Sequence, residues 1–183
     1  QAGPGDLVLT PASGSAVTIA AGDAQVSYSA TAVTINPTSS LIDGVYTVTM
    51  AAGVIKDSSP EAVVHGGLSG TTYQFTVADT TAPTVASYLP ALGATGQSAT
   101  VDIVLTFTEN VQAGSGNIVL TPATGSAVTI AAGDGQVGYS ATAVTIDPTS
   151  DLSTAGMQYT VTMAAGVITD SSPEAVAYAG LSG

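Results

Sequence analysis

Cysteine and tryptophan are missing from this chain, phenylalanine occurs twice, and Lys56 is the only cation. Each absence closes off a class of function. Without Cys there is no disulfide framework, no thiolate nucleophile and no Cys-ligated metal. One cation against thirteen Asp and Glu leaves a net charge of -12. That balance argues against nucleic acid or an anionic membrane as partner, because both need clustered Lys and Arg. No apolar run approaches the length of a membrane span, so no membrane insertion is expected. Scarce charge does not mean disorder, since Val, Ile, Leu and Ala are abundant and regularly patterned. An acidic, Lys-poor, Thr- and Gly-rich composition suits an extracellular protein and offers trypsin-like proteases almost no cut site.

What is present is a repetition. Residues 1–70 and 112–183 are two versions of one sequence, identical at about 55 of 70 aligned positions, with a two-residue insertion near Ser153–Gln158. Near-identical copies rarely encode a single active site. They encode length, spacing or multivalency, which tilts the reading away from an enzyme.

The segments alternate with period two, placing one face in a core and one in water. Val101, Ile103, Leu105 and Phe107 oppose Asp102, Thr106 and Thr108; Tyr159, Val161 and Met163 oppose Thr160 and Thr162. Tyr73, Phe75 and Val77 alternate with Thr72, Gln74 and Thr76, and Ile118 with Leu120, Val128 with Ile130 and Val144 with Ile146 mark further short strands. Outward Thr favours strands while keeping the surface polar. Turn signals separate the strands, as at Gly133-Asp134-Gly135 and Asp147-Pro148-Thr149. No stretch has a capped helical period, although Asp151–Ala155 has room for one short turn. The expected fold class is all-β, and many short strands at regular spacing mean a β-sandwich.

Residues 71–111 occur once. They hold a strand at Thr72–Ala78, a junction Asp79-Thr80-Thr81-Ala82-Pro83, and two strands around Thr84–Tyr88 and Val101–Glu109. Pro83 donates no hydrogen bond and stiffens an extended link, so the junction reads as a domain boundary. That junction, with Tyr88-Leu89-Pro90, Gly93-Ala94-Thr95-Gly96 and Ile103–Val111, resembles the opening of bacterial Ig-like repeats of the S-layer and large surface adhesin kind. Gly125–Ile130, Tyr159–Ile168 and Gly180–Gly183 look like later strands of the same module. One departure is Asp170-Ser171-Ser172-Pro173-Glu174, where such modules often continue from Asp into an Ala-Gly-Asn turn. The resemblance implies tandem Ig-like Greek-key sandwiches of seven strands, in long extracellular arrays without catalysis. It further implies a first repeat at 1–79 lacking its two opening strands and a second at 80–183 lacking its closing strand. Both repeats are then incomplete, and the simplest expectation is a piece of a longer array with a period of about 113 residues.

Candidate chemistry is sparse. His65 is the only histidine and aligns with Tyr178, so a triad or metal site shared by both copies would not survive the exchange. Lys56 aligns with Thr169, which limits any internal Lys–Asn isopeptide bond to one copy; such crosslinks need a buried Lys beside a carboxylate. Asp170 and Glu174 supply the two carboxylates that glycoside hydrolysis requires, but they share a turn-like loop with no aromatic platform, and solvated loop charges are expected there. Asn36-Pro37-Thr38 is no glycosylation acceptor, because Pro occupies its middle position. Calcium is the one ligand the residues suggest, since a hard cation takes several oxygens from carboxylates and loop carbonyls. Its candidates are Asp79 at the junction, Glu109 at a strand end and Asp170, although no Asp-x-Asp-x-Asp run is present. The competing reading is that Asp79 and Glu109 cap backbone amides.

The sequence therefore reads as a non-enzymatic structural repeat of a bacterial cell-surface or extracellular polymer: a stalk, sheath, S-layer or adhesin shaft. Its partners would be neighbouring repeats of the same protein in a homopolymer. The alternative is an extracellular binding or adhesion module that contacts a partner or glycan through exposed loops; a third reading is an accessory domain of a secreted hydrolase.

Overall fold

The computed structural model describes residues 1–152 and 156–183. Every regular element among them is a strand. The chain forms two compact units, Gln1–Asp79 and Thr80–Gly183.

In the first unit the strands are β1 (Asp6–Pro11), β2 (Val17–Ala20), β3 (Val26–Ser29), β4 (Ala32–Ile35), β5 (Gly44–Met50) and β6 (Gln74–Val77). One sheet has the order β2-β1-β5-β6, and β3 pairs with β4 alone. Alternation in β1 and β5 points Leu7, Leu9, Tyr46, Val48 and Met50 inward, where they meet Ile19, Ala21, Val26 and Val54 in one core. The Tyr46 ring stacks on Phe75 of β6 with centroids 5.5 Å apart.

The second unit contains β7 (Val85–Leu89), β8 (Ile103–Phe107), β9 (Val111–Ala113), β10 (Asn117–Pro122), β11 (Val128–Ala131), β12 (Val137–Ser140), β13 (Ala143–Ile146), β14 (Tyr159–Met163) and β15 (Ile168–Asp170). It is an open sandwich. One sheet runs β12-β13-β8-β7, the other β11-β10-β14, and β9 pairs with β15. Leu105 and Phe107 of β8, with Val144 and Ile146 of β13, pack into the same core as Ile118 and Leu120 of β10, Ile130 of β11 and Met163 of β14. Phe107 meets Tyr178 edge-on at 5.2 Å.

The repetition carries through to hydrogen-bond register. β1 faces β5 with Leu7 opposite Met50 and Pro11 opposite Tyr46. β10 faces β14 with Ile118 opposite Met163 and Pro122 opposite Tyr159. Each copy also ends on a matched bridge, Met50 to Leu68 and Met163 to Leu181. At that bridge only glycine fits: a Cβ on Gly180, whose φ is +93°, would lie 2.6 Å from the Met163 carbonyl oxygen.

Several expectations needed correction. The strand read from Val101 begins at Ile103, and Val101 and Ile103 are only half-buried. Tyr159 and Val161, expected in the core, are half-buried as well. β9, β12 and β15 were not anticipated. The turn expected at Asp151–Ala155 lies partly outside the described residues; Asp151 and Leu152 have no regular structure.

Candidate metal centre

Two short strands build the centre. β15 pairs antiparallel with β9 so that Asp170 lies opposite Val111, and the Ser171 amide donates to the Asn110 carbonyl at 3.0 Å. That pairing sets the end of β15 beside the loop carrying Glu109. One carboxylate oxygen each from Asp79, Glu109 and Asp170 can be chosen so that all three lie within 4.8 Å of one another. The three candidates singled out in the sequence are thus brought together. Their environments differ: Asp79 and Glu109 are half-buried, whereas Asp170 is 1 % exposed. The expectation that Asp170 is a solvated loop charge is therefore overturned, because the β9–β15 pairing covers it.

The two oxygens of Asp170 do different things. Oδ1 accepts from the Ser172 amide at 3.1 Å, the Ser172 hydroxyl at 2.7 Å and the Val176 amide at 2.9 Å. Oδ2 is buried and has no hydrogen-bond partner. A buried acceptor left unmatched costs about 1–3 kcal/mol, more when charged, and native structures seldom tolerate one without a compensating group. Neighbouring carboxylates add repulsion. A divalent cation would relieve both costs. Oxygens held at 2.3–2.6 Å from one calcium ion are at most roughly 5 Å apart, a span that admits this trio. The donors are all oxygen, with no His or Cys in the cluster, which suits a hard ion such as calcium and not a softer transition metal.

The first copy supplies a comparison. Asp57 aligns with Asp170, and its Oδ1 accepts from the Ser59 amide, the Ser59 hydroxyl and the Val63 amide at 3.2, 2.7 and 2.9 Å. These bonds, the Ser59 hydroxyl first, hold the Asp57 carboxyl below its ordinary range. Yet Asp57 is exposed. The Asp-Ser-Ser-Pro-Glu-Ala loop is therefore a backbone-organising turn in both copies. Among the described residues, the acid of the second copy also joins a carboxylate cluster.

The remaining candidates stay apart. Glu174 is exposed and outside the cluster. His65 is exposed and its Nδ1 accepts from the Gly67 amide at 2.9 Å. Lys56 borders a cleft of about 250 Å³ whose lining includes Tyr28, Val33 and Ile55 but no carboxylate, Asn or His side chain, so the partners of a Lys–Asn crosslink or an acid–base pair are not there. Among the described residues no helix is long and apolar enough to cross a membrane.

No curated protein and no solved structure matches the chain. The profile of the bacterial Ig-like domain matches residues 79–181, starting at the first acid of the cluster. That segment is more than half of the chain, and its open two-sheet sandwich agrees with the match; the chain belongs to the bacterial Ig-like domain family.

Proposed function

We propose that this chain is a structural repeat of a bacterial extracellular or cell-surface polymer, in which tandem Ig-like modules supply length and stiffness and calcium secures the second module through Asp79, Glu109 and Asp170. Domains of this family are typical of bacterial surface proteins. The observation that carries the reading is that one β-frame is built twice in the same registers, while the chemically active side chains differ between copies, His65 against Tyr178 and Lys56 against Thr169. A repeated frame without a repeated site is what a spacer requires. On this reading the first unit is an Ig-like repeat whose two opening strands are not in this chain, and the second is one whose closing strand is not. Neighbouring repeats are the partners.

Calcium would lower the cost of the buried Oδ2 and of the carboxylate repulsion, so it should act as a stabilising ligand. The test is calorimetry of the full chain with calcium and with chelator, beside Asp170→Asn. Wild type should bind calcium and melt at higher temperature with it. Asp170→Asn should lose the calcium response and, free of metal, melt no lower than metal-free wild type, because one negative charge is gone. Identical melting of wild type with calcium and chelator would remove the ion from the account.

A further inference from the structure

Asp170 is held by one of its oxygens alone. Alternation along β15 places Ile168 and Asp170 on the same buried face, with Thr169 half-buried between them. Val111 of β9 lies opposite Asp170, so the carboxylate leaves the strand on the face that also carries an apolar side chain. Water cannot satisfy a charge in such a place, and the protein must. The loop after β15 does so on one side only. The Ser172 amide, the Ser172 hydroxyl and the Val176 amide converge on Oδ1 at 3.1, 2.7 and 2.9 Å, while Oδ2 has no hydrogen-bond partner. Three donors exceed the lone pairs of a single carboxylate oxygen, and their hydrogens make that side of the group positive. A cation is turned away from Oδ1 and toward Oδ2.

We infer that Ser172 is a positioning residue for the metal centre: its hydroxyl fixes Oδ1, so that Asp170 offers one oxygen, Oδ2, to a calcium ion shared with Asp79 and Glu109. The inference rests on the calcium reading proposed above. Of the three bonds to Oδ1, the one from the hydroxyl is the shortest and the only one a side chain makes. Hydroxyl donors to ionised carboxylates are among the stronger hydrogen bonds. Holding the carboxylate at one angle before the ion arrives removes an ordering cost that a freely turning carboxylate would bear on binding. Groups that orient metal ligands commonly act this way, and their loss weakens metal affinity about 10–100-fold. The first copy separates this role from turn building. Ser59 donates to Asp57 Oδ1 at the same 2.7 Å, yet Asp57 is exposed and is not one of the three clustered acids. There the hydroxyl organises a turn. In the second copy the same bond also aims a buried acid.

The test is calorimetric titration of the full chain with calcium chloride, beside Ser172→Ala, Ser172→Thr and Ser59→Ala. Ser172→Ala should bind calcium about 10–100-fold more weakly than wild type. Ser172→Thr keeps the hydroxyl and should restore most of the affinity, and Ser59→Ala should match wild type. A serine that only builds the turn would lower the metal-free melting temperature and leave calcium affinity alone, so affinity is the deciding readout. Where Ser172→Ala is too unstable to titrate, Ser172→Cys keeps the shape with a weak donor and should show the same loss. Equal affinity in wild type and Ser172→Ala overturns the inference and leaves the calcium reading standing. An equal loss in Ser59→Ala also overturns it, because that hydroxyl holds no acid of the cluster. Failure of wild type to bind calcium overturns both the inference and the reading on which it rests.

Discussion

At the scale of single residues, four aspartates show how one side chain is used in two ways. Asp23 Oδ1 accepts from the Gln25 amide at 2.9 Å and from Gln25 Nε2 at 3.1 Å, while Gln25 Oε1 accepts from the Thr38 amide and hydroxyl. Asp134, Gln136 and Thr149 repeat the arrangement. The Gln amide, and then its side chain, hold both carboxyls below the ordinary carboxylate range. Depressed folded values mean that the ionised form is the one favoured by folding. Stability from these turns is present above the ordinary carboxylate range, near pH 4, and is lost as pH falls through the lower folded values. Melting temperature should therefore decline below about pH 4, and a variant with Asp23→Asn and Asp134→Asn should decline less steeply over that interval. An equally steep decline in the variant would mean that other acids control it. Asp57 and Asp170 organise their loops in the same way, but only Asp170 is buried. That burial was illegible in the sequence, because it depends on β9 and β15, each three residues long. Three residues are too few for alternation to stand out, and Asp is a turn signal wherever it occurs. The metal candidates themselves were legible as acids at a junction and at a strand end, with no internal cation nearby in sequence to pair with them.

At the scale of elements, legibility followed strand length and the neighbours each strand finds. β8 and β14 read clearly, since apolar and Thr residues alternate over five positions. β12 did not, because Gly138 interrupts its pattern. Inward parity of Tyr159 and Val161 was read correctly but their burial was not: periodicity fixes the face a side chain occupies, whereas a neighbouring strand decides whether that face is covered. β8 is the element on which the second core most depends. It carries Leu105 and Phe107 into the centre, lies between β7 and β13, and brings Phe107 against Tyr178. Phe107→Ala should cost about 3–5 kcal/mol, measured by denaturant unfolding. Fluorescence of a probe placed in the first unit should report an unchanged midpoint. A loss under about 1 kcal/mol would mean that Phe107 is not the centre of that core.

For the whole molecule, the division between Asp79 and Thr80 coincides with the Asp-Thr-Thr-Ala-Pro junction, where Pro83 is buried and the Thr84 carbonyl accepts from the Thr108 amide at 2.9 Å. Among the described residues each unit has its own core cluster. The repetition itself was the most legible property of the sequence, because identity over so many positions needs no inference about structure. The two copies nevertheless differ once assembled. The first has its second sheet reduced to the β3–β4 pair, while the second builds that sheet from four strands.

Equal registers have a kinetic consequence. An unfolded chain can pair β1 with β14, or β10 with β5, and find nearly the same side chains opposite as in the native pairs. The strands that lie wholly in the unrepeated residues 71–111, β6, β7 and β8, distinguish right from wrong, and they add to the sheets from outside those pairs. Cross-paired chains are thus a trap of the kind repeat proteins encounter. Refolding from denaturant at low concentration should show a slow phase whose rate is independent of concentration. Its amplitude should grow in a chain carrying Asn117→Asp and Ile118→Leu, which makes β10 identical to β1. An unchanged amplitude would mean that the copies sort themselves before their strands meet.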